Sequence, residues 1–329
     1  MKLLFQVLTL LSSLCCAPQL LAQDAGGYPN RPIHIVVPFS TGGPGDVLAR
    51  VIAERLRSAW KQPVIIDYRP GAATQIGTAA VAKAAPDGYT MGIVTMAHVT
   101  NPSWFEGQLP YDAIRDLRGV TQIVDLHIAI LATPKLEANN LAELIALSKK
   151  KPGEITFATV PGTGGHLAGE FLNTLTGASL RFVPYKGAQD VKNDLIPGRI
   201  DLSFDPLTAA DMQLVQAKRL KVLALAGSGR SKLAPDYPLA SETVPSFVAS
   251  GMMGLVVPKA TPTDIVQRIY RELNKAMQSG DLREAIMQLF MEPKLSSPEE
   301  FDALIASETS KWTGVVRKIR AGSPDASRK

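Results

Sequence analysis

The sequence predicts a two-lobed α/β protein. Short β-branched runs alternate with amphipathic helical stretches. The alternation occurs twice, in two series with apolar segments between them. About 300 residues remain once a leader is set aside, enough to bury two cores.

Residues 1–22, "MKLLFQVLTLLSSLCCAPQLLA", read as a secretory signal peptide: one basic residue, Lys2, an apolar run, Pro18 and a small residue at Ala22. A lipid anchor at Cys15 or Cys16 is the rival reading, disfavoured by the bulky Leu14 in front of them. No other apolar run reaches the roughly 18–20 residues needed to span a bilayer. Both cysteines fall in this segment. The remaining chain therefore offers no disulfide, no thiol nucleophile and no cysteine metal ligand. The formal charge of +5 includes Lys2. The longest basic run, "KKK" at 149–151, closes a helix, where cations complement the dipole, so no nucleic-acid partner is expected.

The first series opens with "IHIVVP" (33–38), a buried strand. A helix follows from about Asp46, with Val47, Leu48, Val51, Ile52 and Leu56 on one face. "PVIIDYR" (63–69) is a strand, "TQIGTAAVAKAA" (74–85) a helix and "YTMGIVT" (89–95) a strand. This order predicts a parallel sheet with right-handed crossovers. "TMAHVTNP" (95–102) reads as a loop.

The second series starts with a helix from Asn140, whose capping partner is Glu143. Strands "EITFAT" (154–159), "SLRFVPY" (179–185), "RIDLSFD" (199–205) and "KVLALAG" (221–227) alternate with helices, one of them from about His166. "GLVVP" (254–258) is one more strand. Two helices close the chain, with Pro262 and Pro298 in their first turns behind Thr261 and Ser297. The chain crosses between lobes near 123–130 and 250–257. The expected boundaries are 28–127 and 253–320 for the first lobe, 128–252 for the second, and a disordered tail at 321–329.

One motif repeats. "VVPFSTGGPGDVLA" in the first lobe and "FATVPGTGGHLAGE" in the second both run from a strand through "TGG" into a helix. Glycine lets the backbone turn with its N–H groups outward, and the helix start adds unsatisfied donors and partial positive charge. Two such ends across a cleft would hold a carboxylate without lysine or arginine. Ordinary βα loops using glycine for geometry are the plainer reading of either turn alone. Neither turn has GxGxxG spacing, and the chain has no GxxxxGK[ST].

Motifs along nearly the whole chain carry a resemblance: "YPNRPIHIVVPF", "QPVIIDYRPGAATQIGT", "AAPDGYT", "NPSWF", "LPYD", "GGHLAGE", "VPYKG", "GRIDLSFD" and "VVPKATPTDIV". The chain resembles the periplasmic solute-binding proteins of tripartite tricarboxylate transporters, the Bordetella uptake gene (Bug) family. The resemblance implies a type II periplasmic binding-protein fold, with two parallel-sheet lobes joined by two crossing strands around a cleft. It also implies a periplasmic location, and delivery of a small organic carboxylate to a permease of one large and one small membrane component. The acid would be a di-, tri- or aromatic carboxylate, and the protein a monomer without cofactor or metal. No two histidines have metal-like spacing with an acid. A docking role on a membrane sensor is the alternative. A hydrolase is the weaker one, since no GxSxG elbow exists.

The expected head-group contacts are Ser40, Thr41 and Gly43 from the first turn, and Thr163, Gly164, Gly165 and His166 from the second. Phe39, Asp46, Thr95, Met96, His98, Tyr185 and Asp205 complete the candidate site. Asp46 serves equally as a helix cap. Family members often carry Asn where this chain has Met96. That departure, with Phe39, points to a hydrocarbon or ring on the ligand.

Overall fold

The computed structural model describes residues 27–322; the expected signal peptide lies outside the described residues. The first sheet contains β1 (Ile33–Val37), β2 (Val64–Tyr68), β3 (Thr90–Thr95), β4 (Leu117–Leu126), β10 (Gly251–Pro258) and β11 (Glu292–Pro293). Its order is β11-β4-β10-β3-β1-β2. The second sheet contains β5 (Ile128–Ala132), β6 (Thr156–Thr159), β7 (Arg181–Pro184), β8 (Leu202–Pro206) and β9 (Lys221–Leu225), in the order β7-β6-β8-β5-β9.

Both sheets are mixed, which corrects the all-parallel expectation. The classical βα crossovers keep β1, β2 and β3 parallel, as they do β6, β7 and β8. The crossing strands enter from the opposite end. Only His127 separates β4 from β5, and β5 runs antiparallel to β8 with Ile130 opposite Phe204. Strand β10 returns antiparallel to β3, with Leu255 opposite Ile93.

Helices cover the sheets. In the first series these are α1 (Pro44–Trp60), α2 (Gln75–Ala82) and α3 (Met96–Trp104). The second has α4 (Leu141–Lys150), α5 (Gly164–Thr176), α6 (Ala188–Leu195), α7 (Ala209–Gln216) and the short α8 (Ala240–Thr243). The last part of the chain adds α9 (Thr263–Gln278), α10 (Asp281–Gln288) and α11 (Pro298–Gly322). Helix α9 turns Ile265, Val266, Ile269, Leu273 and Met277 into the core beside α1 and β1. Asn140 caps α4 by accepting the Glu143 N–H at 2.9 Å. Ser297 caps α11 by accepting from Glu300, whose carboxylate accepts the Ser297 N–H in return.

Three differences from the sequence reading stand out. Residues 96–104 are helix rather than loop, because Thr95 caps them by accepting the Ala97 N–H at 3.3 Å. Helix α10 and strand β11 were not foreseen. Helix α11 runs to Gly322, two residues into the expected tail; residues 323–329 lie outside the described residues.

One apolar core is continuous between the two halves. It includes Val94 and Met96 from the first half, Phe157, Leu167 and Phe204 from the second, and Phe301 and Trp312 of α11. Phe171 of α5 meets Trp312 edge-on, ring centres 5.8 Å apart. The final helix therefore ties both halves together.

Candidate functional site

The two glycine turns share one backbone path. Gly42 and Gly162 both take left-handed φ, +87° and +77°, which glycine adopts without a Cβ clash. The residues after them, Gly43 and Thr163, are extended at φ/ψ −83°/169° and −80°/168°. A helix then begins at once. Its third residue reaches back: the Gly42 N–H donates to Asp46 Oδ2 at 2.7 Å, and the Gly162 N–H donates to His166 Nδ1 at 3.3 Å. Gly42 thus corresponds to Gly162, and Asp46 to His166. Pairing the turns by "TGG" sets Thr41 against Thr163, two residues out of register.

The donors left over are the ones that matter. Among the described residues, no hydrogen bond uses the N–H of Thr41, Gly43 or Gly45 in the first turn, or of Gly164, Gly165 or His166 in the second. Both turns sit at carboxyl ends of parallel strands, β1 and β6, the usual place for ligands in α/β sheets. Gly165 is there for packing: a Cβ on it would lie 1.8 Å from the Phe204 carbonyl oxygen. A Cβ on Gly164 would meet only Met96, at 3.9 Å.

His166 is clamped flat. Phe182 lies on one side, ring centres 4.1 Å apart, and Trp104 stacks on it at 5.6 Å. Burial pushes its imidazole down to about 4, so the ring is neutral near pH 7. With Nδ1 accepting from Gly162, Nε2 carries the hydrogen and is a donor.

A third loop at the same sheet edge escaped the sequence reading. After β2 the chain passes through Gly71, Ala72, Ala73 and Thr74, all at positive φ (120°, 46°, 49° and 75°). Three consecutive non-glycine residues there are costly. The buried Asn101 amide donates to the Ala73 carbonyl at 2.8 Å and Thr78 Oγ1 to that of Thr74 at 3.0 Å, holding the loop in place. The signal was present in "RPGAAT" (69–74), a turn leading from strand to helix beside β1.

Comparison with known proteins fits this architecture. The model of the tripartite tricarboxylate transporter family receptor (TctC) matches residues 48–321. Protein BugT of Bordetella pertussis is 35% identical over 301 residues, 91% of this chain and 92% of that protein. The chain belongs to this receptor family. Among solved structures, an R. palustris protein with adipate is 30% identical with a TM-score of 0.78, over 89% of this chain and 98% of that one. The periplasmic binding protein BugD is 30% identical at TM-score 0.74, over 89% and 98%. MatC of Rhodopseudomonas palustris, with bound malate, is 26% identical at TM-score 0.74, over 88% and 100%.

The receptor's other candidate residues divide into two groups. Ser40 and Thr41 are exposed on the first turn, and Thr163 bonds its hydroxyl to the Val160 carbonyl at 2.7 Å. Met96 stands near Gly164, where an added Cβ would lie 3.9 Å from it. Asp205 lies behind Thr163, reached through Thr159.

The remaining residues have other partners in the receptor. Asp46 is buried, and its Oδ1 accepts from Arg50 and Tyr68. The Gly42 N–H, then Tyr68, hold its carboxyl below the usual range. Gly43 is the N-cap of α1, and the Asp46 carboxylate ties down the turn in front of it by accepting from Gly42. Phe39 covers Gly45 and packs against the core, and Thr95 caps α3. His98 corrects the expectation most clearly. It is 1% exposed and stacks against Tyr111, because residues 96–104 form a helix that turns it inward. Burial pushes it down to about 4. Tyr185 donates to Asp194 at 2.6 Å, a bond that pushes its hydroxyl up to about 12 and leaves it no free proton for a ligand.

A cavity of about 600 Å³ opens beside α3 between Phe105, Leu109, Tyr111 and Ile114, but neither turn lines it. Among the described residues, no cluster of His, Cys, Asp and Glu could hold a metal ion. No described helix is long and apolar enough to cross a membrane.

Proposed function

We propose that this receptor captures a small organic carboxylate between its two glycine turns and delivers it to the large and small membrane components of a tripartite permease. The observation that carries this reading is the pair of like-built turns with six unbonded N–H groups. Each stands at the positive end of a helix. Relatives solved with adipate and malate support it. Met96 and the Trp104 ring beside the second turn favour a hydrocarbon spacer or ring over a hydroxyl-rich acid. Ser40, Thr41, Gly43, Gly164, Gly165 and His166 supply the donors, while Thr163, bonded to the Val160 carbonyl, shapes the second turn. The protein acts as a monomer in the periplasm after loss of residues 1–22. It binds without catalysis, cofactor or metal.

A thermal-shift screen against mono-, di-, tri- and aromatic carboxylates tests this. A ligand at 100 times its Kd adds about 2.7 kcal/mol of apparent stability. The matching amide or methyl ester should bind far more weakly, because it carries no charge for the helix ends. Equal binding of acid and ester would refute the reading.

A further inference from the structure

A carboxyl group stands directly behind the second turn. Asp205 is the penultimate residue of β8 and is 7% exposed. Its Oδ1 accepts from Thr159 Oγ1 at 3.4 Å, and that hydroxyl lies 3.3 Å from Thr163 Oγ1, at the start of α5. Thr159 therefore stands between the carboxyl and the turn, its hydrogen directed at Asp205 and that of Thr163 at the Val160 carbonyl. Its Oδ2 is buried with no hydrogen-bond partner. An orphaned anionic oxygen is far costlier to bury than a neutral one.

The neighbouring charges do little to offset this. From α6, Lys192 bonds to Asp211 of α7 at 2.5 Å, and the two act on Asp205 in opposite directions. From α5, His166 is neutral near pH 7. Strands β5 ("IAILA") and β6 ("TFAT") bring no titratable group. The remaining positive influence is the start of α5 itself. Burial raises the Asp205 carboxyl to about 7, against the opposing pull of the Ser203 hydroxyl two residues before it on β8 and, more weakly, of Thr159. An anion bound by the Gly164, Gly165 and His166 N–H groups would occupy that positive end and place a second negative charge nearby. Both effects favour the protonated acid.

We infer that Asp205 is a proton-binding site coupled to ligand capture, so that the cleft takes up a carboxylate and a proton together. This rests on the carboxylate reading above. The proton comes from solvent and is carried on Oδ2; no bond within the ligand changes. Below the empty-state value Asp205 is protonated with or without ligand, and nothing is taken up. Above it, occupancy draws in up to one proton, and affinity falls by up to about tenfold per pH unit until the occupied-state value is passed. Near pH 7.5–8, where the uptake is sought, both carboxyls of a dicarboxylate ligand are ionised, so the proton is not theirs.

The test is calorimetric titration of the mature protein from pH 6.0 to 8.5, in HEPES and in Tris, with adipate as the probe or whichever acid of the panel binds. The expected result is a buffer-dependent heat corresponding to roughly 0.5–1 proton taken up near pH 7.5–8, with a Kd that rises across that range. D205N should lose both the uptake and the slope. H166Q should keep the uptake, which excludes the imidazole as the acceptor. Binding by wild type with no buffer dependence overturns the proton site and leaves the carboxylate reading intact, even if D205N fails to fold. Uptake that persists in a folded D205N also overturns it. If no acid binds, both readings fall.

Discussion

His166 lies flat against Trp104, ring centres 5.6 Å apart and planes 12° from parallel, and the two rings come from different halves of the protein. Trp104 ends the helix that follows β3, and His166 lies in the first turn of the helix that follows β6. The residue that ties down the second turn is thus also a contact between the halves. Because a ligand held by both turns requires the halves to be together, this stack favours the binding-competent form. Such ring pairs contribute about 0.5–1.5 kcal/mol beyond area.

Trp104→Leu should therefore weaken carboxylate binding by roughly 2–10-fold, the factor that energy corresponds to. Calorimetry measures it. An unaltered Kd would show that the stack does not persist in the bound form.

Asp46 predicts a loss of stability. Its carboxylate accepts from Gly42, Arg50 and Tyr68 while buried. Asp46→Ala should cost about 1–3 kcal/mol in urea unfolding at pH 7, chiefly from the buried bonds. The exposed Arg50 pair adds little. The folded-state pKa is depressed, so this stabilisation is fully present above the unfolded value of about 3.9. It is lost as pH falls through the folded value. The wild-type and variant curves should converge in acid, and parallel curves down to pH 2 would contradict the assignment.

Two adjacent glycines should behave differently. Gly165→Ala places a methyl group 1.8 Å from the Phe204 carbonyl oxygen, so backbone must move. A cost of about 1–3 kcal/mol is expected. Gly164→Ala meets Met96 at ordinary contact distance and should leave unfolding nearly untouched while altering ligand affinity. Equal thermal shifts for the two would count against the division between packing glycine and site glycine.

Much of this was legible because local rules carry it. The Asn140–Glu143 and Ser297–Glu300 caps, the alternation of strands and helices and the two glycine turns all follow from residues within a few positions of one another. What failed was non-local. Nothing near β5 or β10 announces that they run antiparallel to their neighbours, since a buried strand has the same composition in either direction. Residues 95–102 read as a loop, yet Thr95 starts a helix there and turns the His98 imidazole inward. The left-handed run at Ala72–Thr74 depends on Asn101, 28 residues from Ala73. The two-residue slip between the turns arose because "TGG" is a string, whereas the backbone repeat starts at the left-handed glycine.

Glu292 belongs to β11 on the first sheet, where it pairs with Asp125. Its Oε1 accepts from Ser231 Oγ at 2.6 Å and from the Lys232 N–H at 2.7 Å, both in the segment that follows β9 of the second sheet. The same oxygen lies 3.2 Å from Nε2 of His127, the lone residue between β4 and β5. One carboxylate oxygen thus joins the first sheet, the crossing at His127 and the segment after β9 of the second sheet. Burial pushes the Glu292 carboxyl up, but Ser231, His127 and Lys232 together outweigh it and hold it below the usual range. Glu292→Ala should therefore lower unfolding free energy by about 1–3 kcal/mol at pH 7. It should also enlarge the small-angle scattering envelope of the empty protein, because the halves lose a shared anchor. Affinity should fall with it, since a looser hinge must be ordered on closure. The difference in stability from wild type should be fully present above the unfolded value of about 4.3 and vanish as pH drops through the lower folded value. Glu292→Gln keeps an acceptor oxygen and should lie between the two. A Glu292→Ala protein as stable as wild type at pH 7, with an unchanged envelope, would show that the crossings are held by the backbone pairing of β4 and β10 alone.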